Sequence, residues 1–499
     1  MKWARPAVQA VISVLLLYML ISCGLLPAKY LGIIVAVVVL LLAITFLFSR
    51  SKNLAARSIG TIVAVIVCVV LVFATVYIRQ VVKTLDQIST SNTEINNMVV
   101  AVAQTNGAQT IEETSGYTFG VYEGTDASTV QEMVKEVGMA NGDAQIQTRS
   151  FSSALEMAQA LLDGTIDAAI CNQAYTSLLD DAIQDYSSQI RVIFEKAFEV
   201  DPGAADPAVD SDGTDDTHTT IDRGEGKDTV IARDISLTED SYTILISGID
   251  VSGPINTTSR SDVNILMTVN PKTHKILLTT TPRDYFVLIP GVSGDQRDKL
   301  THAGIYGIRT SMRTLQNLYG IDITNYIRIN FDSLIQLVDA LDGVDVESEF
   351  EFDAGGFHFV QGTNHLNGEQ ALAFSRGRYA FATGDNQRGK NQMLVLTAII
   401  NKLQSPALLK NPSNVLDVVG RSMQTSIPSS DIRKVISWQL DNPRGWSISR
   451  QAVTGTDDNQ QTFSMPGTSL YVMWPDEASV TNAAKAIEDM MRKTGHLVR

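Results

Sequence analysis

Carboxylates and guanidiniums alternate along one stretch of this chain, residues 245–284, which reads LISGIDVSGPINTTSRSDVNILMTVNPKTHKILLTTTPRD. Asp250 comes first, then Arg260 and Asp262, then Arg283 and Asp284, each group at the end of an apolar, strand-like run. Sheet proteins tend to gather binding sites at such strand ends. Far downstream lies a second cluster, Ser375-Arg376-Gly377-Arg378 followed by Asp385, Arg388 and Gln392, and between the two stands Asp298-Lys299-Leu300-Thr301-His302-Ala303. Brought together, these residues have the makeup of a site that grips phosphates with a divalent metal. Arginine presents a planar fork to phosphate oxygens, and paired aspartates hold Mg²⁺, which also takes substrate phosphates as ligands.

The elements that must position these groups are legible around them. Residues 265–269 and 275–280 read as strands joined by the turn Asn270-Pro271-Lys272-Thr273. In residues 331–341, Phe331, Leu334, Ile335, Val338 and Leu341 share one helical face. That face suits packing against the sheet, and part of it suits the wall of an apolar channel. Phe350, Phe352, Phe357 and Phe359 have the two-residue spacing of a strand or hairpin and fit either core or channel wall. A helix over 393–403, strands over 446–453 and 469–473, and a closing helix over 478–491 complete a domain spanning residues 238–496.

Ahead of that domain the chain changes character several times. Three apolar runs, about 7–26, 30–48 and 59–78, each have the length that crosses a bilayer as a helix. Lys2 and Arg5 precede the first run, and Arg50, Lys52 and Arg57 separate the second from the third. The positive-inside rule puts both groups in the cytoplasm and everything after Arg79 outside. A cleaved signal peptide or a lipoprotein site at Cys23 competes for the first run, but the tight Pro27-Ala28-Lys29 turn favours a helical hairpin. Residues 80–94 read as a polar, helix-compatible stalk. Strand–helix alternation over 95–198 predicts a small α/β accessory domain, in which YTFGVYEGTD and ALLDGTIDAAICN look like one lobe of a periplasmic-binding-protein-like fold. It is read as an accessory module, either a spacer or a ligand binder. Residues 199–237, rich in Asp, Gly, Pro and Thr at their start, read as an acidic linker.

Of the chain's 39 basic residues seven lie in the first 80, which hold no acid, so 32 face all 54 acidic residues in the rest. An acidic outer portion lacks the basic footprint of a nucleic-acid binder. Arginine clusters there must overcome the surrounding field, which marks them out. Of the three cysteines only Cys171 falls in the outer portion, so no intramolecular disulfide is available to it.

The ordered motifs ISGID, SRSDVNILMTVNPKT, PRDY, DKLTHA and RGR, with the later Asp, Arg and Gln, resemble the LytR–CpsA–Psr family, specifically its capsule-type CpsA members, over roughly half the chain. The resemblance implies a mixed sheet flanked by helices. It also implies an enzyme that transfers a glycopolymer with its phosphate from a polyprenyl pyrophosphate to the cell wall. The partners it implies are the lipid-linked polysaccharide, peptidoglycan, the membrane and other capsule assembly proteins, in the cell membrane of a Gram-positive bacterium. Matched position by position, Asp250 and Asp262 resemble the ligands of Mg²⁺ (or Mn²⁺). Arg260, Arg283, Arg376 and Arg378 resemble the arginines that grip pyrophosphate, with Lys299 and Gln392 nearby and Arg388 and Asp385 as further candidates. Each arginine also has the plainer reading of a surface ion pair, and Asp385 that of a turn former. His302 fits a structural or supporting role.

Arg283, Asp262 and Asp284 are the catalytic candidates. An aspartate among arginines has a lowered pKa and is a weak base, and loose phosphoryl-transfer transition states ask little of one. Either metal-held aspartate, or Asp284, suits the task of orienting an acceptor hydroxyl. Two further readings remain open at this level. One is a pyrophosphatase acting on the lipid carrier with water as acceptor. The other is a non-catalytic, lipid-sensing regulator or attenuator of envelope synthesis. The sequence has no P-loop and no Ser–His–Asp or Cys–His arrangement.

Overall fold

The computed structural model describes residues 4–90, 93–122, 124–142, 145–200, 219–222, 227–230, 235–249, 254–378, 385–404, 415, 418–420 and 422–492. It opens with three apolar helices, α1 (Ala4–Cys23), α2 (Ala28–Arg50) and α3 (Leu54–Thr90). All three are long and apolar enough to cross a membrane. Their outward faces expose Val, Ile, Leu and Phe side chains, including Phe73 at 72 %, while a narrow seam of Leu16, Leu20, Val38, Val67 and Leu71 holds them together. Such inverted exposure suits lipid as the solvent. Residues 80–90 of the expected polar stalk are the helical continuation of α3, while Glu94 already begins the first strand.

The accessory unit runs through β1 (Glu94–Ala103), β2 (Thr118–Val121), α4 (Ala127–Asn141), β3 (Gln147–Ser150), α5 (Ala154–Leu162), β4 (Ala168–Asn172), α6 (Ala174–Ala182), α7 (Tyr186–Gln189) and β5 (Ile190–Val200). Its sheet has the order β3-β2-β4-β1-β5, with β1 antiparallel to both neighbours and β2 parallel to both of its own. The strands β1 and β4 are apolar on both faces because helices and neighbouring chain cover both sides. Within the expected linker, β6 (Thr219–Asp222) and β7 (Lys227–Val230) pair as a hairpin.

The larger unit is built on a six-stranded mixed sheet. Its strands are β8 (Tyr242–Ile249), β9 (Ser261–Asn270), β10 (Lys275–Thr280), β13 (Asn325–Asn330), β18 (Met423–Thr425) and β19 (Ser447–Ala452), in the order β18-β13-β8-β9-β10-β19. The β9–β10 hairpin pairs Asn270 with Lys275 around the Pro271 turn, and β8 lies antiparallel on the other side of β9. Short pairs surround this sheet: β11 (Phe286–Leu288) with β12 (Arg297–Lys299), β14 (Val344–Ser348) with β17 (Gly362–Leu366), β15 (Phe352–Ala354) with β16 (Phe357–Phe359), and β20 (Gly455–Thr462) with β21 (Met465–Pro475). One layer of helices, α8 (Ile308–Tyr319) and α13 (Glu477–Arg492), closes one face of the sheet. The opposite side carries α9 (Phe331–Ala340), α10 (Gly368–Arg376) and α11 (Asp385–Leu403), and α12 (Ser429–Asp441) reaches toward the anchor.

Two expectations resolve here. Among the described residues none of the four phenylalanines lines the cavity: Phe352 and Phe359 are buried in a cluster with Phe374, Phe357 packs against that core, and Phe350 is exposed. The helical face of α9 divides, with Val338 and Leu341 in the core and Phe331 and Leu334 turned to a cavity.

The accessory unit does not swing from the rest. Leu155, Ala158, Tyr175, Leu178 and Leu179 of α5 and α6 share one apolar core with Ile305, Met465 and Leu470 of the larger unit. At its edge Ile95 N–H donates to Asn256 O at 2.8 Å, and Thr258 N–H donates back to Ile95 O at 2.9 Å. Beside them Glu94, 2 % exposed, pairs with Arg328, 1 % exposed, and also accepts from Ile308 N–H at the start of α8 at 3.0 Å. Gly307, at φ +97°, is required there, because a Cβ would meet Glu94 Oε2 at 2.5 Å.

Removing one member of a buried pair leaves the other charge uncompensated. Glu94→Ala is therefore expected to destabilise the chain by about 3–5 kcal/mol, read by denaturant unfolding in detergent. Asp86→Ala, which loses an exposed pair with Arg433, should cost under about 1 kcal/mol. A second expectation concerns Asp126. It is buried while accepting from Asn96 Nδ2 at 3.0 Å and Asn172 Nδ2 at 3.4 Å. Burial outweighs those bonds and pushes its carboxyl up from 3.8 to about 6. The folded state then holds a proton that the unfolded chain has released, so this residue's contribution to stability falls as pH rises from about 4 to about 6 and is level above. Comparing unfolding midpoints of wild type and Asp126→Asn across that range should show the fall only in wild type.

Candidate functional site

The strand ends converge on a cavity of about 300 Å³ between the sheet and helices α9, α10 and α11. Five arginines line it, Arg260, Arg283, Arg376, Arg378 and Arg388, together with Asp262 and Gln392. Most of the rest of the wall is apolar, with Ile246, Ile249 and Ile265 from the sheet and Leu334, Leu372, Val395, Leu396 and Ile399 from the helices, beside the polar Asn330 and Ser375. Of the predicted residues, then, seven share one cavity. Asp250 lies outside the described residues, and Asp385 is the first residue of α11.

Each arginine is held by a different element. Arg260 and Asp262 flank the first residue of β9, where Gly304 lets the turn after β12 come close: a Cβ there would meet Ser259 O at 2.5 Å and Ser261 N at 2.6 Å. Arg283 follows β10, and its Nη1 donates to Asp262 Oδ2 at 2.8 Å. Arg376 ends α10, and its guanidinium lies over the Phe331 ring, 4.5 Å from the centroid. Asn367 caps the start of α10 in a capping box with Gln370, fixing where that helix delivers Ser375 and Arg376. Along α11, Arg388, Gln392, Val395, Leu396 and Ile399 recur at helical spacing and form one wall, cationic at the N-terminal end and apolar beyond.

The DKLTHA segment is a brace for the acids. Thr301 Oγ1 donates to Asp262 Oδ1 at 2.9 Å. Lys299 Nζ lies 3.2 Å from Asp284 Oδ1, and Arg283 Nε lies 3.6 Å from Asp284 Oδ2. Lys299, expected near the pyrophosphate-gripping arginines, is not among the residues lining the cavity and meets the site through Asp284. Its strand pairs with β11, which carries the buried ammonium behind the wall onto Asp284. Asp284 too is buried and sits behind Arg283. His302 is fully buried with Nδ1 2.6 Å from Asp298 Oδ1. Asp298 also accepts from the Ser464 N–H at 3.0 Å and from its hydroxyl, so Asp298 ties this histidine to the turn between β20 and β21.

Burial alone pushes the Asp262 carboxyl up, but Arg283, Arg260 and Arg388 together outweigh it and hold the group below the usual carboxylate range. Asp284 is likewise lowered, its burial outweighed by Lys299 and Arg283. Both are ionised near neutrality and are weak bases. Mg²⁺ typically takes one or two carboxylates and fills its shell with phosphate oxygens and water. Asp262 offers one such carboxylate on the cavity wall, so the donor chemistry fits. No group of three or more His, Cys, Asp or Glu suited to a metal occurs among the described residues.

Sequence reading missed the apolar wall on α11, although the spacing of Gln392, Val395, Leu396 and Ile399 was its signal. It also missed Asp181 of α6. Arg260 Nη1 donates to Asp181 Oδ2 at 3.0 Å and to Ser177 O at 3.4 Å, a contact across some 80 residues with no local signature.

Known proteins align with this chain over about half its length. The TagU polyisoprenyl-teichoic acid–peptidoglycan teichoic acid transferase of Halalkalibacterium halodurans is 36 % identical over 244 residues, 48 % of this chain and 77 % of that protein. The TagU of Enterococcus faecalis is 32 % identical, covering 45 % of this chain and 73 % of its own length. Among solved structures, that of Bacillus subtilis TagU is 26 % identical, covers 52 % of this chain and 100 % of its own, and superposes with a TM-score of 0.41. The LytR_cpsA_psr family matches residues 209–484, which hold all of the clustered arginines. That match covers more than half of the 499 residues, and the chain belongs to the LytR–CpsA–Psr family.

Proposed function

We propose that this chain is a membrane-anchored transferase that moves a glycopolymer from a polyprenyl pyrophosphate carrier to peptidoglycan. One observation carries the reading: a single cavity is cationic at one end and apolar at the other. A ligand complementary to it has concentrated negative charge beside a hydrocarbon tail. The named activity of the relatives, transfer of polyisoprenyl-linked teichoic acid to peptidoglycan, uses a substrate of that kind. We take the polymer here to be a capsular polysaccharide. Support for that finer reading is the domain order, in which a three-helix anchor and an accessory unit precede the region matched by the family.

The chemistry asks for positioning and charge neutralisation more than for covalent work by the protein. Arg283, fixed by Asp262 and Asp284, grips the pyrophosphate, with Arg260, Arg376, Arg378 and Arg388 spreading the remaining charge. Gln392 marks the boundary between the charged head and the isoprenoid, which lies along Val395, Leu396 and Ile399. Asp262 accepts a hydrogen bond from the acceptor sugar hydroxyl, its lowered pKa sufficing because a loose transition state needs little base strength. Mg²⁺, or Mn²⁺, is the proposed cofactor, held by Asp262 with Asp250, and when bound it supplies neutralisation of phosphate charge.

The anchor is proposed to cross the membrane three times with the larger units outside. Lys29 Nζ at the α1–α2 turn lies 2.9 Å from Asp441, and Tyr30 Oη donates to Leu440 O at 3.4 Å. These contacts bring the turn and the large unit to the same side, away from Arg50, Lys52 and Arg57.

Purified chain, Mg²⁺, a polyprenyl-pyrophosphate-linked saccharide and a peptidoglycan fragment should yield a saccharide–phosphate joined to the fragment, read by mass, with none formed in EDTA. Free saccharide phosphate alone would instead indicate a hydrolase. Arg283→Ala should lower the rate by about 10²–10³ while leaving the unfolding transition cooperative. In intact cells an impermeant maleimide should label Lys434→Cys and spare Lys52→Cys; the reverse pattern would overturn the topology.

A further inference from the structure

We infer that Asp181 of the accessory unit is a positioning residue for the pyrophosphate-binding arginine Arg260, so that the accessory unit completes the substrate site. This rests on the reading of the cavity given above. Arg260 lines the cavity and also contacts the accessory unit, and its side chain is 13 % exposed against 37 % for Asp181. Among the described residues its guanidinium is hydrogen-bonded at one corner, where Nη1 donates to the Asp181 carboxylate and to Ser177 O, and its charge also acts on Asp262. The Nε and Nη2 donors have no partner among the described residues, and Arg260 lines the cavity. A guanidinium tethered at one corner, with its other donors not hydrogen-bonded among the described residues, is pre-organised for a bidentate hold on phosphate.

The tether is built into the fold. Ser177 and Asp181 lie one turn apart on α6, and the main-chain carbonyl of the one and the side-chain carboxylate of the other converge on the same nitrogen. The C-terminal end of a helix is its negative end, favourable to a cation. The helix itself is fixed by Tyr175, Leu178 and Leu179 in the core shared with Ile305, Met465 and Leu470. The position of Arg260 is thereby set by an element that precedes the matched family region. Without Asp181 the arginine keeps its charge but loses its fixed direction, and its contribution to binding falls.

The test is a double-mutant cycle on the full chain in detergent with Mg²⁺ and geranyl pyrophosphate as the probe, read by calorimetry, with Km and kcat of transfer measured beside it. Arg260→Ala should weaken the probe, confirming that this arginine belongs to the site. Asp181→Ala should weaken it roughly 3- to 10-fold, mainly through Km, and Asp181→Glu should restore it. Asp181→Ala should have no further effect in the Arg260→Ala background, an outcome that a merely structural role would not give. If Arg260→Ala leaves affinity unchanged, the assignment of Arg260 to the site fails and this inference with it. If Arg260→Ala weakens binding but Asp181→Ala does not, or tightens it, the positioning role alone is overturned.

Discussion

Like charges must be crowded together before any substrate arrives, and the rest of the structure depends on how that repulsion is borne. Five arginines line one cavity of about 300 Å³. Three acids stand against them from different directions: Asp262 in the wall, Asp284 buried behind Arg283, and Asp181 outside on α6. Each is a hydrogen-bonded or close partner of Arg260 or Arg283, which fixes the direction of those two forks. Burying Asp262 and Asp284 is costly in isolation. Their lowered pKa values show that the surrounding cations more than offset that cost. The acids and the arginines therefore stabilise one another, and neither set is explicable alone.

The mixed sheet serves this arrangement by placing chain ends. The β9 strand lies between β8 and β10, so Asp262 at its start and Arg283 after β10 meet at one edge. A brace then runs from the turn between β20 and β21 through Ser464, Asp298 and His302 to Thr301 and Lys299, one of which holds Asp262 and the other Asp284. The histidine that invites a role as base is fully enclosed, with Nδ1 committed to Asp298. Its work is to fix a segment whose neighbours touch the site.

Much of this was legible because local signals were strong. The β9–β10 hairpin announced itself through its turn and its apolar runs, the three anchor helices through length and hydropathy, and the arginine clusters through their setting in an acidic chain. What stayed hidden depended on distance or on burial. Lys299 reads as a cation near phosphates, and only the pairing of β12 with β11 shows it behind the wall. The first turns of α11, DNQRGKNQ, are polar enough to hide a helix that begins at Asp385. The α12 helix has no buried residue, so no core position fixes its place in the chain. Asp181 has nothing in its neighbourhood to mark it, since its partner is 79 positions away.

The same geometry gives the cavity a direction. From Arg388 to Ile399 the cavity wall follows α11 for about 16 Å, passing from charge to hydrocarbon. A turn further on, Gln404 Oε1 accepts from Trp446 N–H at 3.1 Å, and Trp446 Nε1 donates to Gln439 Oε1 at 2.8 Å. Gln439 adjoins Leu440 and Asp441, the residues that meet Tyr30 and Lys29 at the α1–α2 turn. Trp438 and Trp446 pack around His274 in this region, an aromatic grouping of the kind found at membrane–water interfaces. Beyond its apolar end, then, α11 continues toward the anchor, while the arginines lie at the opposite end of that path. A lipid-linked substrate entering from the bilayer would meet the hydrocarbon wall first and deliver its pyrophosphate last, to groups already held in place by the acids behind them.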